Sequence, residues 1–442
     1  MNCIKAIDKN IFYIIRTYVN NINKKSYVIG GYVRDFLKKK KKLKKISIIT
    51  VVNCIKLAKK VCKKLYPKYN IYIFKNLGIA MYKNTNLNIE FFCVKKLKYF
   101  QKKINLTINT LAISLNHLDY GKLIDPFGGL FDINKKKIRS TLDRDITDII
   151  RIIRAIRFYI KLNFKIYNNK KIIKIFYKKR IIYEFNKILL YKKPSIGIFY
   201  LYKIGLLSII LPELINIKGI EIQNNFKHKD NFFHTLEVVD NISIYTNNIW
   251  LKWAALLHDI GKSITKKYKK NFGWTFYSHE LIGSKMITSI FERLKLPKKK
   301  NIKYVKNIIK YSSRPITLIS YTATDSSIRR LLFDIGDDIE DLILLCKSDI
   351  TTQNLIKKKQ YNKNLFLLKK KIKKIKKKDK IRNWISPISG YHIMNIFGIN
   401  SCKEIGILKK SLKNAIIKGI IQNNFEKANL FIIETGKKMG LI

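Results

Sequence analysis

Up to about residue 130, hydrophobic residues gather in short runs rich in β-branched and aromatic side chains, with polar turns and helical stretches between them. The runs are SYVIGGYV (26–33), KISIITVV (45–52), YNIYIFK (69–75), NLNIEFFCV (86–94) and GKLIDPFGG (121–129). This pattern predicts strands in a small mixed α/β or α+β head. After about residue 145 the period changes and becomes helical almost without interruption. In IIRIIRAIRFYIKLNF (149–164), Arg151, Arg154 and Arg157 recur every third residue along one stripe, and Ile150, Ile153 and Ile156 form another. The expected fold class is therefore α+β. A head (1–140) is followed by a helical neck (141–205), a helical body (206–355) and a helical tail (356–442). No internal repeat is evident.

Composition sharpens this outline. The chain has 442 residues, with 91 Lys+Arg against 29 Asp+Glu, a formal net charge of +62. Hydrophobic residues make up 47% and aromatics 12%, so the charge sits on folded protein and a disordered basic tail is excluded. Such a surplus attracts polyanions, and nucleic acid is the first partner to consider. A second reading stands beside it. Lys, Ile, Asn and Tyr share A/T-rich codons, and runs such as Lys38 to Lys42 fit mutational drift of a biased genome equally well. The six cysteines form no C-x-x-C pair, which fits a reducing, cytoplasmic setting better than a disulfide framework. The first twenty residues carry charges within their apolar stretch and no small-residue cleavage site, so no signal peptide is expected. No window of about 18 residues lacks charge, so no membrane partner is expected.

Candidate chemistry begins at Val28-Ile29-Gly30-Gly31-Tyr32-Val33-Arg34-Asp35, a strand running through a glycine pair into a helix. Glycines there let backbone approach a triphosphate, helix amides face the anion, and Arg34 adds a bidentate donor. Taken with TINTLAISLN (107–116), IDPFGGLFDI (124–133) and the Asp148-x-x-Arg151-x-x-Arg154-x-x-Arg157 helix, it resembles the class II tRNA nucleotidyltransferases. These are the CCA-adding enzymes and their poly(A) polymerase relatives. The resemblance runs through nearly the whole chain in the family's order. It implies a polymerase-β-like head that adds CMP and AMP from CTP and ATP to the tRNA 3′ end without a nucleic acid template.

The same resemblance exposes a departure. The family's chemistry uses two Mg²⁺ ions, and hard divalent cations need carboxylates. An Asp-x-Asp is expected on the strand after the glycine-pair helix, but those positions hold Lys45 and Ser47. At ~4 Å and an effective dielectric of ~20, one charge pair is worth about 4 kcal/mol, so Asp-to-Lys exchange beside a dication turns attraction into repulsion. Glu90, on a neighbouring strand, is the surviving candidate catalytic carboxylate, although a single strand glutamate is ordinarily a solvated face. Asp143-Arg144-Asp145 also spells Asp-x-Asp, but at the junction with the helical part, where a turn suits it better. Where the family has Arg-Arg-Asp-Phe-Thr-x-Asn-Ala, this chain reads Lys103 to Thr110: Asn109 is kept near the nucleotide, and Ile104 and Asn105 replace the central Arg and Asp. The loop before it shortens to Lys96 through Lys102. All three changes point toward lost or reduced transfer.

In the neck the resemblance implies that Asp148 and Arg151 read the Watson–Crick edge of the incoming base, a carboxylate accepting and a guanidinium donating. Arg154 and Arg157 are then expected to meet phosphates, and the following helix, with Glu184, to be structural. On spacing alone the stripe reads equally as a basic amphipathic helix packed by its isoleucines.

In the body, His234, His258-Asp259 and Asp349 stand in the spacing of the HD superfamily, around Ala254 to Lys262. Histidines are scarce, six in all, so two at these positions are informative. Neutral imidazoles with carboxylates suit a transition metal that activates water for phosphoester hydrolysis. His279 is a candidate for a second position, whereas a further histidine of relatives is Ser312 here. The tail, from Pro387 to Lys409, resembles the bacterial members that hold the tRNA elbow. Arg382, Trp384 and Tyr391 are candidates for RNA contact, with core packing the expectation for the aromatics. The alternatives to a CCA-adding enzyme are a non-catalytic tRNA-binding subunit beside a partner chain that supplies the acids, and an HD phosphohydrolase.

Overall fold

A computed structural model describes residues 1–39, 45–66, 70–74, 78–83, 87–102, 104–141, 149–166, 178–223, 226–270, 272–296, 299–320, 324–378 and 386–441. They divide into two compact units, Met1–Glu184 and Phe185–Ile442. The first holds a seven-stranded sheet with strands β1 (Ser26–Ile29), β2 (Lys45–Thr50), β3 (Ile71–Phe74), β4 (Ile79–Lys83), β5 (Asn88–Cys93), β6 (Ala112–Ser114) and β7 (Leu123–Ile124), in the order β3-β4-β5-β2-β1-β6-β7. The pairing of β2 with β5 is parallel and the other pairings are antiparallel. Each of the five runs read as strands contributes one. β4, of sequence IAMYK, and β6, of sequence AIS, go beyond that reading.

Alternation decides what each sheet face carries. Ile46, Ile48, Ala80, Tyr82, Ile89 and Phe91 are buried in one core with Phe12 and Ile15 of helix Asn10–Asn21 and Leu57 and Val61 of helix Cys54–Leu65. Asn53 caps the latter helix, accepting from the Ile55 and Lys56 amides. On the other face Tyr27, Ile29, Ile49 and Ala112 pack with Phe92, Phe100 and Ile104. The segment expected to be a shortened loop is helix Leu97–Lys102, and it roofs that second face. Neck helix Ile149–Leu162 buries Ala155, Phe158 and Leu162 against the first core.

The second unit is helical, as its periodicity predicts, with short hairpins such as Lys267–Lys269 with Gly273–Thr275 interrupting it. Helix Asn231–Tyr245 is capped by Asp230, which accepts from the Phe232 and Phe233 amides, and helix Ile249–Leu257 by Asn248, which accepts from the Trp250 amide. Trp253, Phe232 and Phe291 are fully buried there. In the tail, Tyr391 is 70% exposed, contrary to the expectation of core packing: helix Gly390–Phe397 is short and turns Ile393 inward instead. Arg382 and Trp384 lie outside the described residues. All six cysteines are free. Among the described residues no helix is long and apolar enough to cross a membrane.

Candidate functional sites

The head site is built on the row Ile29, Ser47, Glu90, Met81, which crosses β1, β2, β5 and β4 in register. Gly30 follows this row with φ +79° and ψ −130°, a conformation open to glycine and strained for other residues. The surviving carboxylate does not stand free. Lys45 Nζ lies 2.6 Å from Glu90 Oε1, and Ser47 Oγ donates to Glu90 Oε2 at 3.2 Å. Thus the two residues in the Asp-x-Asp positions hold both oxygens of the one acid. A divalent cation does not fit this set: there is a single carboxylate, and an ammonium already neutralises it.

Arg34 also differs from its expected role. Its side chain is buried, Nε and Nη2 donate to Asp35 Oδ1 at 2.8 and 2.7 Å, and Nη1 donates to Asn109 Oδ1. Its guanidinium lies 5.0 Å from the Phe158 ring centre. It therefore orients Asn109 and anchors the glycine-pair helix to the neck, and is not displayed as a phosphate ligand.

Three of the four neck residues can be placed, since Asp148, like Thr147 and Asp143 to Asp145, lies outside the described residues. Arg151 is half-buried on helix Ile149–Leu162. Arg154 Nε and Arg157 Nη1 both converge on Glu184, at 3.1 Å to Oε1 and 3.0 Å to Oε2. Glu184 is 2% exposed, so the helix read as structural supplies the acid that aligns the arginine stripe. The one signal for it is that Glu184 is the lone acid of helix Lys178–Leu189. Changing Glu184 to alanine leaves two arginines without their shared counter-ion. The expected cost is roughly 2–3 kcal/mol, below that of a wholly buried pair because Arg154 reaches solvent. A fall of several degrees in the first calorimetric transition, partly recovered in Glu184→Gln, is the expected result.

The second site is assembled from three helices and one turn. His234 lies in the first turn of helix Asn231–Tyr245, His258 and Asp259 follow helix Ile249–Leu257, and Asp349 ends helix Ile339–Asp349. His234 Nε2 lies 2.8 Å from Asp349 Oδ1 and 3.7 Å from Asp259 Oδ2; His258 Nε2 lies 3.5 Å from each of these oxygens. His258 Nδ1 donates to the Ala255 carbonyl at 2.9 Å, which directs Nε2 toward the carboxylates. That buried Nε2 has no hydrogen-bond partner. Burial opposes charge on His258, but Asp259 and Asp349 outweigh it and lift the imidazole to about 9. Despite burial, the neighbouring histidines hold Asp349 below the usual carboxylate range.

This donor set of two imidazoles and two carboxylates fits a transition metal, and Asp349, 29% exposed, is the most accessible of the four. His279 begins helix His279–Arg293 with Nε2 3.5 Å from Asp259 Oδ1, at the margin of the cluster. Gly261 permits this approach, because a Cβ there would lie 2.1 Å from the His279 carbonyl oxygen. Ser312, in the place of the further histidine, donates its hydroxyl to the Ile309 carbonyl at 2.8 Å. Two lysines complete the surroundings: Lys262 Nζ lies 2.6 Å from Asp259 Oδ2, and Lys229 Nζ lies 3.1 Å from His234 Nδ1 and also meets Thr351. Sequence reasoning missed Lys229 and Thr351, which carry no spacing signal of their own.

The fold joins in one chain a head built on a mixed seven-stranded sheet and a helical body that carries a His/Asp cluster. Residues 231–346 match the HD domain family, and residues 165–218 match the probable RNA and SrmB-binding site of polymerase A. The chain is 27% identical to the A-adding tRNA nucleotidyltransferase of Deinococcus radiodurans over 56% of its own length and 58% of that protein. It is 31% identical to the multifunctional CCA protein of Haemophilus influenzae over 44% and 50%. The chain spans about half the length of the curated relatives it matches. A CCA-adding enzyme in its apo form superposes with a TM-score of 0.60 at 20% identity, covering 98% of this chain and 96% of that one. A Thermotoga maritima CCA-adding enzyme complexed with tRNA gives 0.56 at 18% identity, covering 98% and 99%. At such identity these structures give the fold alone. The resemblance to the class II tRNA nucleotidyltransferase and poly(A) polymerase family, in its bacterial form with an HD domain, is borne out.

Proposed function

We propose that this protein binds the 3′ end of tRNA together with CTP or ATP as a CCA-type tRNA nucleotidyltransferase, and that Lys45 and Ser47 impair metal-dependent transfer in its own head. The Lys45–Glu90 ion pair carries this reading, since it stands where a metal-holding acid row is required. Residues 1–140 form the transferase head, 141–205 recognise the nucleotide, and 206–355 and 356–442 are the HD body and the tRNA-holding tail. Asp148 and Arg151 pair with the base, while Arg154 and Arg157 are held by Glu184. The Deinococcus radiodurans relative is by name a tRNA nucleotidyltransferase and the Thermotoga maritima structure holds tRNA, which supports the same substrate here; a cytoplasmic setting belongs to the same reading.

Purified protein, tRNA lacking CCA, and labelled CTP and ATP with Mg²⁺ test the reading. tRNA binding is expected to be tight and salt-sensitive, its log–log slope growing by roughly 0.7–0.9 for each phosphate neutralised. Incorporation is expected to be barely above background. Efficient incorporation would show that Lys45 moves aside for the metal, whereas absence of tRNA binding would overturn the reading. If transfer is needed in the cell, a partner chain with an intact Asp-x-Asp supplies it.

The convergence of His234, His258 and Asp259, with Asp349 on both histidines, favours a second reading. With a transition metal bound, the site would supply an activated water for phosphoester hydrolysis on a 2′,3′-cyclic phosphate or nucleotide. In the chain itself, His258 is oriented through Ala255 and Asp259 is held by Lys262.

A further inference from the structure

The failure of the head to fit a divalent cation has a positive counterpart in charge. Register places Lys45 and Ser47 of β2, Asn88 and Glu90 of β5, and Met81 and Lys83 of β4 on one sheet face. The far end of this face is roofed by Phe92 and Phe100, but the end bearing Lys45 and Lys83 is open to solvent. Lys45 is 59% exposed while one of its three donors reaches Glu90. The resemblance implies three carboxylates here, a charge of −3 that repels a triphosphate unless cations intervene. This chain has Lys45, Lys83 and Glu90 instead, two positive charges and one negative. No acid row remains for a metal to neutralise.

We propose that this open sheet end binds the phosphates of a nucleoside triphosphate without a divalent cation, with the exposed ammonium groups of Lys45 and Lys83 as the cationic contacts beside the single Glu90. The inference rests on the nucleotide-binding reading above and deepens it. Lys45 replaces the metal's attraction for the phosphates but does not activate a 3′-hydroxyl, so binding and transfer separate in this chain.

Titration of the full-length protein with a fluorescent ATP analogue, in EDTA and in Mg²⁺, tests it. Affinity in EDTA is expected to equal or exceed that in Mg²⁺, since no carboxylate cluster calls for the metal and Mg²⁺ lowers the charge that the triphosphate presents to the lysines. In EDTA, Lys45→Ala is expected to weaken binding roughly tenfold, Lys45→Arg to retain it, and tripolyphosphate to compete. Lys45→Asp with Ser47→Asp is expected to bind only with Mg²⁺. The proposal is overturned if the wild type requires Mg²⁺, or if Lys45→Ala, with an unchanged melting temperature, binds as wild type does. No nucleotide binding with tRNA still bound overturns this proposal and leaves the tRNA reading standing; loss of both overturns both.

Discussion

Replacing Lys45 and Ser47 together by aspartate is expected to raise incorporation of CMP and AMP into tRNA lacking CCA by at least ~100-fold in the presence of Mg²⁺. The reason is electrostatic and local. Glu90 occupies a half-buried position between β2 and β4, in register with residue 47. In the wild type both its oxygens are held, one by the Lys45 ammonium at 2.6 Å and one by the Ser47 hydroxyl at 3.2 Å. The double change releases Glu90 and adds two acids to the same face, giving three carboxylates where there was one neutralised by lysine. Exchanging the Lys45 cation for an anion beside a dication is worth several times thermal energy at an effective dielectric of ~20, and Ser47→Asp adds a further anion. Either single change leaves the set incomplete, so most of the gain is expected in the double variant. Measured initial rates decide the matter. Continued silence with normal nucleotide binding would assign the lost activity to Ile104 and Asn105, or to helix Leu97–Lys102, where a longer loop is expected.

Changing His258 to alanine is expected to remove the metal of the HD body almost completely, and Asp349→Asn to do the same. His258 is 3% exposed, has its tautomer set by Ala255, and presents a buried Nε2 without a hydrogen-bond partner. Such a nitrogen is costly unless a cation or proton satisfies it. Elemental analysis of protein purified without chelator should find close to one transition-metal ion per wild-type chain and about a tenth of that or less in either variant. A His279→Ala change should retain the ion, because His279 approaches only the outer oxygen of Asp259. Equal metal content in the wild type and His258→Ala, or none in either, would remove the hydrolase reading.

Much of the architecture was legible from periodicity. The switch from short β-branched runs to a helical period marks the passage from the sheet-bearing head to the helical remainder, and the seven-stranded sheet contains every strand expected. β4 and β6 are defined by pairing with β5 and β1, which the pattern along the chain does not carry. At the sites, residue types were legible and contacts were not. Arg34 was assigned to a triphosphate from chemistry alone, yet Asp35, Asn109 and Phe158 surround it. Glu184 was read as part of a structural helix, yet folding brings it thirty residues back to Arg154.

What the sequence by itself determined is which charges are available: Lys45 and Ser47 in an acid's place, one Glu90, and an HD set of two histidines and two aspartates. Chemical identity follows from side-chain type, and no fold turns lysine into a metal ligand of the required charge. Only the tertiary structure decided which of these groups neutralise one another. Ion pairing falls off over a few ångströms, so the pairing of Lys45 with Glu90, and of Arg154 and Arg157 with Glu184, depends on strand register and helix packing that join residues far apart in the chain.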